Sequence, residues 1–321
     1  MKVVDATSTS PVTTSDHTSR KPPHGTTGPA ALVIGGAACL STSAMLVKLA
    51  DIDAGTAAFL RCTLALVALV PLLMHEVRRK GWLPLPLQGY AVCAGVFLGA
   101  DYVMWTRSVL DVGASVASVL INVQVIAFPL LARVIGGTAM SRRFVFTLPV
   151  MLAGIALASG ALEDASESGN PVRGALLGVA AGVAYAAYLY LNRASGARSP
   201  GHVVTPICIA TGAAAVTAGV IGLFTTGITL SLTLASWGWV SALALLGQVA
   251  AWLLISAGTP RLAPNASAVL LLLQPVMAIG FGLVVLRETP TAAQLAGCVI
   301  VIAAVWFSHR TPRPSTSRTR S

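Results

Sequence analysis

The stretch ALEDASESGNPVRG (161–174) is the longest polar break after the N-terminal segment, and it decides how the chain on either side is read. Working back from it, apolar runs cover 143–162, 112–133, 89–109, 54–74 and 30–49; working forward, they cover 173–193, 203–224, 236–256, 265–286 and 290–308. A membrane-spanning helix needs about 20 mostly apolar residues at about 1.5 Å of rise each. Each run meets that length, and short polar links join them. The break therefore divides ten predicted spans five and five.

Composition points to the same solvent. Of 321 residues, 55% are hydrophobic and 10% charged, with mean hydropathy +0.79. A soluble domain carries about 25% charged residues, because it needs a polar skin. These values exclude a soluble enzyme, a secreted disulfide domain and a nucleic-acid binder. The alternation over about ten residues that marks a membrane β-barrel is absent from the pattern. The expected fold class is thus an all-α integral membrane protein with ten transmembrane helices. Residues 1–29, rich in Ser, Thr and Pro, read as a disordered cytoplasmic tail without the apolar core of a signal peptide, and 309–321 as a basic cytoplasmic tail. The five cysteines (Cys39, Cys62, Cys93, Cys208, Cys298) lie in apolar runs without metal-site spacing and read as free thiols.

Charge placement sets the orientation. With the N-terminus inside, 16 of the 21 Lys and Arg residues fall on the inner side, four (Lys48, Arg107, Arg173, Arg287) fall outside, and Arg61 lies within a span. Both termini are then cytoplasmic in a cell (inner) membrane. An odd number of spans per half inverts the second half relative to the first, the plan on which many transporters build a substrate site at mid-membrane. The predicted units are repeats at 30–162 and 173–308, joined by a polar extracytoplasmic connection at 163–172. An offset of 150 superposes the fourth and fifth runs on the ninth and tenth, placing Gln124 on Gln274 and, one run earlier, Tyr102 on Trp252.

The stretch APNASAVLLLLQPVMAIGFGLVVLRETPTAAQLAGCVIVIAAVW (263–306) has a small-residue start, a mid-helix Pro275 and Glu288 at the hairpin before the last run; AAFLRCTLA (57–65) carries Arg61. On these features the chain resembles EamA-type transporters of the drug/metabolite transporter superfamily, over about residues 28–310. The first half departs from the family pattern: Val125 and Thr138 stand where Pro and Glu are expected, and Pro129 is displaced by about one turn. The resemblance implies ten helices in two inverted repeats, and it favours export of a small metabolite.

Arg61 and Asp101 are the two formal charges placed within the predicted spans. A charge at the bilayer centre costs about 2.5–3.5 kcal/mol on insertion scales, so it faces a bundle interior or a polar cavity. Their similar depth on successive runs suggests a charge pair, either structural or belonging to a substrate or proton site. The candidate substrate-binding set is Asp101, Tyr102, Trp105, Asn122, Gln124, Tyr185, Tyr188, Gln248, Trp252 and Gln274, which place amides and aromatic rings at mid-depth. The alternative for the amides is glue between helices, worth about 0.6–2 kcal/mol per bond. Pro275 removes a helix hydrogen bond and is predicted to kink its helix as part of a gate. Gly174, Gly178 and Gly182, with Gly95 and Gly99, form small-residue faces for close helix packing or sliding.

The expected function is a secondary active transporter or facilitator. It would move an amino acid, related metabolite or drug-like compound across the inner membrane by alternating access. The alternative is a membrane-embedded enzyme or lipid-handling protein, but no catalytic motif supports an enzyme. No cofactor or metal is implied. The partners are the bilayer, a small-molecule substrate and protons as a candidate coupling ion, with no nucleic acid; the state is monomer or homodimer.

Overall fold

The computed structural model describes residues 27–136, 149–150, 153–154, 157, 170–199, 201–262, 270–271 and 273–309, and all regular structure among them is helical. In chain order these are α1 (Thr27–Ala50), α2 (Ala54–Lys80), α3 (Leu85–Val112), α4 (Ala114–Leu120), α5 (Gln124–Gly136), α6 (Pro171–Arg198), α7 (Val204–Thr225), α8 (Leu234–Ala242), α9 (Ala251–Gly258), α10 (Leu273–Val284) and α11 (Ala292–His309). A 3₁₀ turn (Ile121–Val123) joins α4 to α5 and a π-helical segment (Leu243–Ala250) joins α8 to α9, so each pair makes one irregular rod.

Among the described residues, seven helices are long and apolar enough to cross a membrane: Gly28–Ala50, Ala54–Lys80, Leu85–Val112, Ala114–Ile135, Pro171–Ser195, Val204–Thr225 and Leu234–Gly258. They match the first four predicted runs and the sixth to eighth. The tenth run is α11, whose apolar centre is Leu295–Ala304. Most of the fifth run (143–162) and the first part of the ninth (265–286) lie outside the described residues. The expected total of ten therefore stands as seven candidate spans, with α10 and α11 beyond them.

Local chemistry sets the helix ends. Asp53 caps α2 by accepting the Thr56 N–H (2.9 Å), and Thr233 caps α8 by accepting that of Ser236 (3.1 Å). Arg78, Arg79 and Lys80 occupy the last turn of α2, where positive charge complements the helix dipole. Gly113 joins α3 to α4 in one residue at φ 89°, a left-handed conformation that costs glycine no Cβ clash.

Packing interleaves the two halves. α1 lies against α8, α9, α10 and the π-helical segment, whereas α6 lies against α3, α4 and α5. The first helix of each half thus packs on the third and fourth of the other. The second helices, α2 and α7, pack on each other. They run antiparallel. Glu76, near the end of α2, accepts the Val203 and Thr205 N–H groups (2.9 and 2.7 Å) at the start of α7. Asp53, before α2, accepts the Thr226 hydroxyl (2.8 Å) just beyond α7. The second helices of the two halves therefore run in opposite directions.

Small residues permit this approach. A Cβ on Gly99 would lie 2.6 Å from the Ala214 carbonyl oxygen, and one on Gly95 would strike that of Ala210, so α3 seats directly on α7. Gly174, Gly178 and Gly182 press α6 onto Val112, onto Ser108 and Leu120, and onto the Ile121 carbonyl, respectively. Both glycine faces are consumed within the bundle. Outward, Val67, Leu176, Val216 and Val299 are each at least 65% exposed, as suits side chains with hydrocarbon as their solvent.

Candidate functional site: a polar pocket between the two halves

Buried polarity concentrates where the two irregular rods meet α1, α2, α3, α6 and α10. A pocket opens there. Its walls carry Ser41 and Ser43 from α1, Arg61 from α2, Asp101, Tyr102 and Trp105 from α3, and Ser118 from α4. Asn122 and Gln124 come from the 3₁₀ turn and α5, Tyr185 from α6, Trp252 from α9, and Gln274 from α10. Leu40, Ile121 and Ala278 supply apolar wall.

The helix irregularities sit at this pocket for local reasons. On the first rod, Ser118 Oγ donates to the Ala114 carbonyl (2.7 Å) and Asn122 Nδ2 to that of Ser118 (2.9 Å). Such side-chain bonds compete with the backbone ladder. On the second rod, the Gly247 carbonyl lies within the π-helical segment and accepts Arg61 Nη2 (2.8 Å). Mid-helix 3₁₀ and π segments recur at functional hinges and sites.

Arg61 and Asp101 are 3% and 2% exposed. The expected contact between them does not form: among the described residues the ion pairs are Glu76–Lys80, Arg107–Asp111 and Asp111–Arg173. Arg61 instead points Nη2 at Gly247 and lays its guanidinium over the Tyr102 ring, 3.9 Å from the centroid. Among the described residues its Nε has no partner, nor has Asp101 Oδ1. Similar depth on successive helices does not specify which way a side chain turns. Glu76, beyond the predicted run 54–74 but still within α2, and Asp111 are further buried charges, each 7% exposed.

A layer of contacts backs the walls. Tyr102 Oη donates to Gln248 Oε1 (2.5 Å), and Gln248 Nε2 donates to Thr211 Oγ1 (2.9 Å). Tyr188 stacks on Tyr185 (centroids 5.9 Å apart, 14° between planes) and meets Trp252 edge-on at 5.3 Å. Gln248 and Tyr188, expected in the binding set, thus stand behind the pocket and position Tyr102, Tyr185 and Trp252. The other eight members line it. Pro275 lies in the first turn of α10 beside Gln274; the residues around which its kink was expected include 263–269 and 272, outside those described. The wall residues outside the expected binding set are Leu40, Ser41, Ser43, Ser118, Ile121 and Ala278, with Arg61, which was expected as a member of a charge pair. Ser118 was signalled by its spacing of four before Asn122.

Glu288, in the hairpin between α10 and α11, ties that hairpin to the start of α4. Its carboxylate accepts the N–H groups of Ala114 (2.6 Å) and Ser115 (3.0 Å) and the Ser115 hydroxyl (2.7 Å), capping α4. Ser41 Oγ, which donates to the Ala37 carbonyl (2.6 Å), also reaches the Gln274 carbonyl (3.0 Å) and joins α1 to α10.

Fold and site together define a multi-pass helical membrane protein with a polar pocket where the two halves interleave. The chain belongs to the EamA-like transporter family, whose model matches residues 28–160 and 172–309. The two matched segments are the two interleaved halves, and the membership makes the protein a membrane transporter of small molecules. A solved structure titled "Crystal structure of protein" is similar to it, with 18% identity and a TM-score of 0.59 over 87% of this chain and 97% of the other; this likeness concerns the fold. No curated protein matches the chain.

Proposed function

We propose that this protein is a secondary active transporter or facilitator that moves a small organic metabolite across the inner membrane by alternating access of the central pocket. The observation that carries the reading is the convergence of repeat-related residues. Gln124 and Gln274, and Tyr102 and Trp252, are 150 positions apart, and all four line one pocket. Trp252 Nε1 also lies 3.4 Å from Tyr102 Oη as a donor. A site shared by two inverted units can be exposed to either side by rocking one unit against the other.

In this reading ten helices form two inverted five-helix repeats, 30–162 and 173–308, with both termini cytoplasmic and export the favoured direction. The basic residues that set this orientation include Arg78, Arg79 and Lys80 at the end of α2. Asp101, Tyr102, Trp105, Asn122, Gln124, Tyr185, Trp252 and Gln274 contact substrate, with Tyr188 and Gln248 positioning the walls. Asp101 is the candidate proton-coupling carboxylate, because it is the acidic side chain in the pocket wall. The bonds from Glu288 to α4 close one end and must break when the pocket opens there. Flux of labelled metabolites into proteoliposomes of the full chain tests the reading. Solute movement above empty vesicles, abolished in a pocket variant that still folds, is the expected result; equal rates in protein-containing and empty vesicles across a broad metabolite panel contradict it. Asp101→Asn is expected to lose pH-driven flux while keeping exchange, and full pH-driven flux in that variant removes the coupling role.

A further inference from the structure

A carboxylate outside the pocket is seated against the rod that forms part of its wall. In the α10–α11 hairpin the Glu288 N–H donates to the Gly282 carbonyl (3.0 Å), and Arg287 is left-handed at φ 52°, so the turn aims Glu288 at α4. Glycines make room for it: a Cβ on Gly282 would lie 2.5 Å from Glu288 Oε2, and one on Gly113 would lie 3.1 Å from Oε1. The ionisable groups at this end of the elements packed on α4 are Lys48 and Asp51 of α1 and its end, Arg107 and Asp111 of α3, Arg173 of α6, and Arg287 beside Glu288. None of them forms an ion pair with Glu288 among the described residues. The carboxylate instead meets three donors of α4: the Ala114 N–H, the Ser115 N–H and the Ser115 hydroxyl.

One peptide group of α4 is gripped from both sides. Its N–H, that of Ser115, donates to Glu288 Oε2 (3.0 Å), and its carbonyl, that of Ala114, accepts Ser118 Oγ (2.7 Å). The Ser118 carbonyl in turn accepts Asn122 Nδ2 (2.9 Å), and Ser118 and Asn122 both line the pocket. Hydrogen bonds in series polarise one another, so losing one weakens the next. On the other helix, Gly282 lies one turn beyond the wall residue Ala278. Resting on the transporter reading above, we propose that Glu288 is a proton-sensitive positioning residue. As a carboxylate it holds the first turn of α4 to the hairpin and, through the Ala114–Ser115 peptide group, sets Ser118 and Asn122 in the pocket wall. Because every group facing it donates, a protonated carboxyl places a hydrogen among donors and gives up the stronger bonds that a charged acceptor makes. Partial burial leaves Glu288 within reach of that proton. Protonation therefore frees the hairpin from α4 and loosens the wall at that end.

The test needs no substrate. In the purified full chain with its five cysteines replaced by serine, Ala278→Cys places a thiol in the pocket wall, and its rate of modification by a small charged methanethiosulfonate reports opening. At about pH 8, adding Glu288→Gln, whose amide turns a donor towards those of α4, should raise that rate about tenfold or more. The ratio of the two rates, taken at each pH so that the ionisation of the thiol cancels, should shrink towards one as pH falls to about 4, through the ordinary carboxylate range. A cap that merely stabilised the fold would give no such profile. Circular dichroism identifies a variant that misfolds. If Glu288→Gln does, amide exchange over residues 113–118 of the unaltered chain, corrected for the intrinsic rate at each pH, decides instead, and protection there should fall about tenfold between about pH 8 and about pH 4. Equal rates with Glu288 and Glu288→Gln, a ratio indifferent to pH, or unchanged protection in the exchange measurement overturns the proposal. The expected profile in a protein that carries no flux leaves the proposal standing and overturns the transport reading instead.

Discussion

The seam between α2 and α7 and the central pocket both bury charge, and they treat it in opposite ways. At the seam, Glu76 accepts three hydrogen bonds, from the Val203 and Thr205 N–H groups and the Thr205 hydroxyl (2.7 Å), with Lys80 3.7 Å away. In the pocket, Asp101 is at least as buried, yet among the described residues Oδ1 has no partner, and neither has Nε of Arg61 nearby. A carboxylate that ends a helix pair is committed to the fold; one that leaves valence unused can still accept a donor. Burial alone therefore does not tell the two apart, but saturation does.

The contrast can be broken most forcefully at the seam. Glu76→Ala strands three donors, and each unsatisfied buried group costs about 1–3 kcal/mol, so stability should fall by about 3 kcal/mol or more. Thermal unfolding in detergent measures this, and an unchanged midpoint would show that the seam does not hold the halves together. Next in size is Gly178→Leu. Even a Cβ there lies 2.8 Å from Ser108 Oγ and 3.0 Å from Leu120 Cβ, so α6 must retreat from α3 and α4 at a cost of about 1–3 kcal/mol. A stable Gly178→Leu protein with normal flux would mean that this face is not closely packed.

Asp101→Asn sharpens the comparison from the other side. The swap preserves shape and removes a charge with an oxygen unpartnered among the described residues, so stability should change by less than about 1 kcal/mol while pH-driven flux is lost. Thermal unfolding and pH-driven flux on one preparation separate the two outcomes, and a collapse of stability would make Asp101 a scaffold residue. The smallest effect belongs to Asp53, at the other end of the seam. Partial burial raises its pKa, but hydrogen bonds from Thr56 and Thr226 outweigh that and hold the carboxyl below its ordinary 3.8. A lowered folded-state pKa gives stability that is complete above the unfolded value and lost as pH falls through the folded one. The advantage of wild type over Asp53→Asn should therefore be constant above about pH 5 and shrink below about pH 4.

Much of this contrast was legible in the sequence, and the limits are physical. Run lengths and the polar break at 161–174 located seven spans, because hydrophobic continuity is a local property. Mid-depth polarity identified most of the pocket wall, because a polar side chain in lipid must face inward. The structural role of Glu76 was hidden by distance: its backbone partners lie 127 and 129 residues away and carry no side-chain signature. The Arg61–Asp101 pairing failed because helix depth leaves azimuth free, and the Gly247 carbonyl in the π-helical segment captured the guanidinium. The 3₁₀ turn was equally hidden, since the approach of Gly182 to the Ile121 carbonyl is a tertiary event.

The central claim is that solute crosses through a pocket opened and closed by movement of one half against the other, and the Glu288 contact with α4 offers direct access to it. In a background with the five cysteines replaced by serine, Ser115→Cys and Glu288→Cys place thiols where a 2.7 Å hydrogen bond now joins the halves. A short reducible cross-linker between them, applied to proteoliposomes, should stop flux, and cleaving the linker should restore it. Undiminished flux through the fully cross-linked protein would contradict the account.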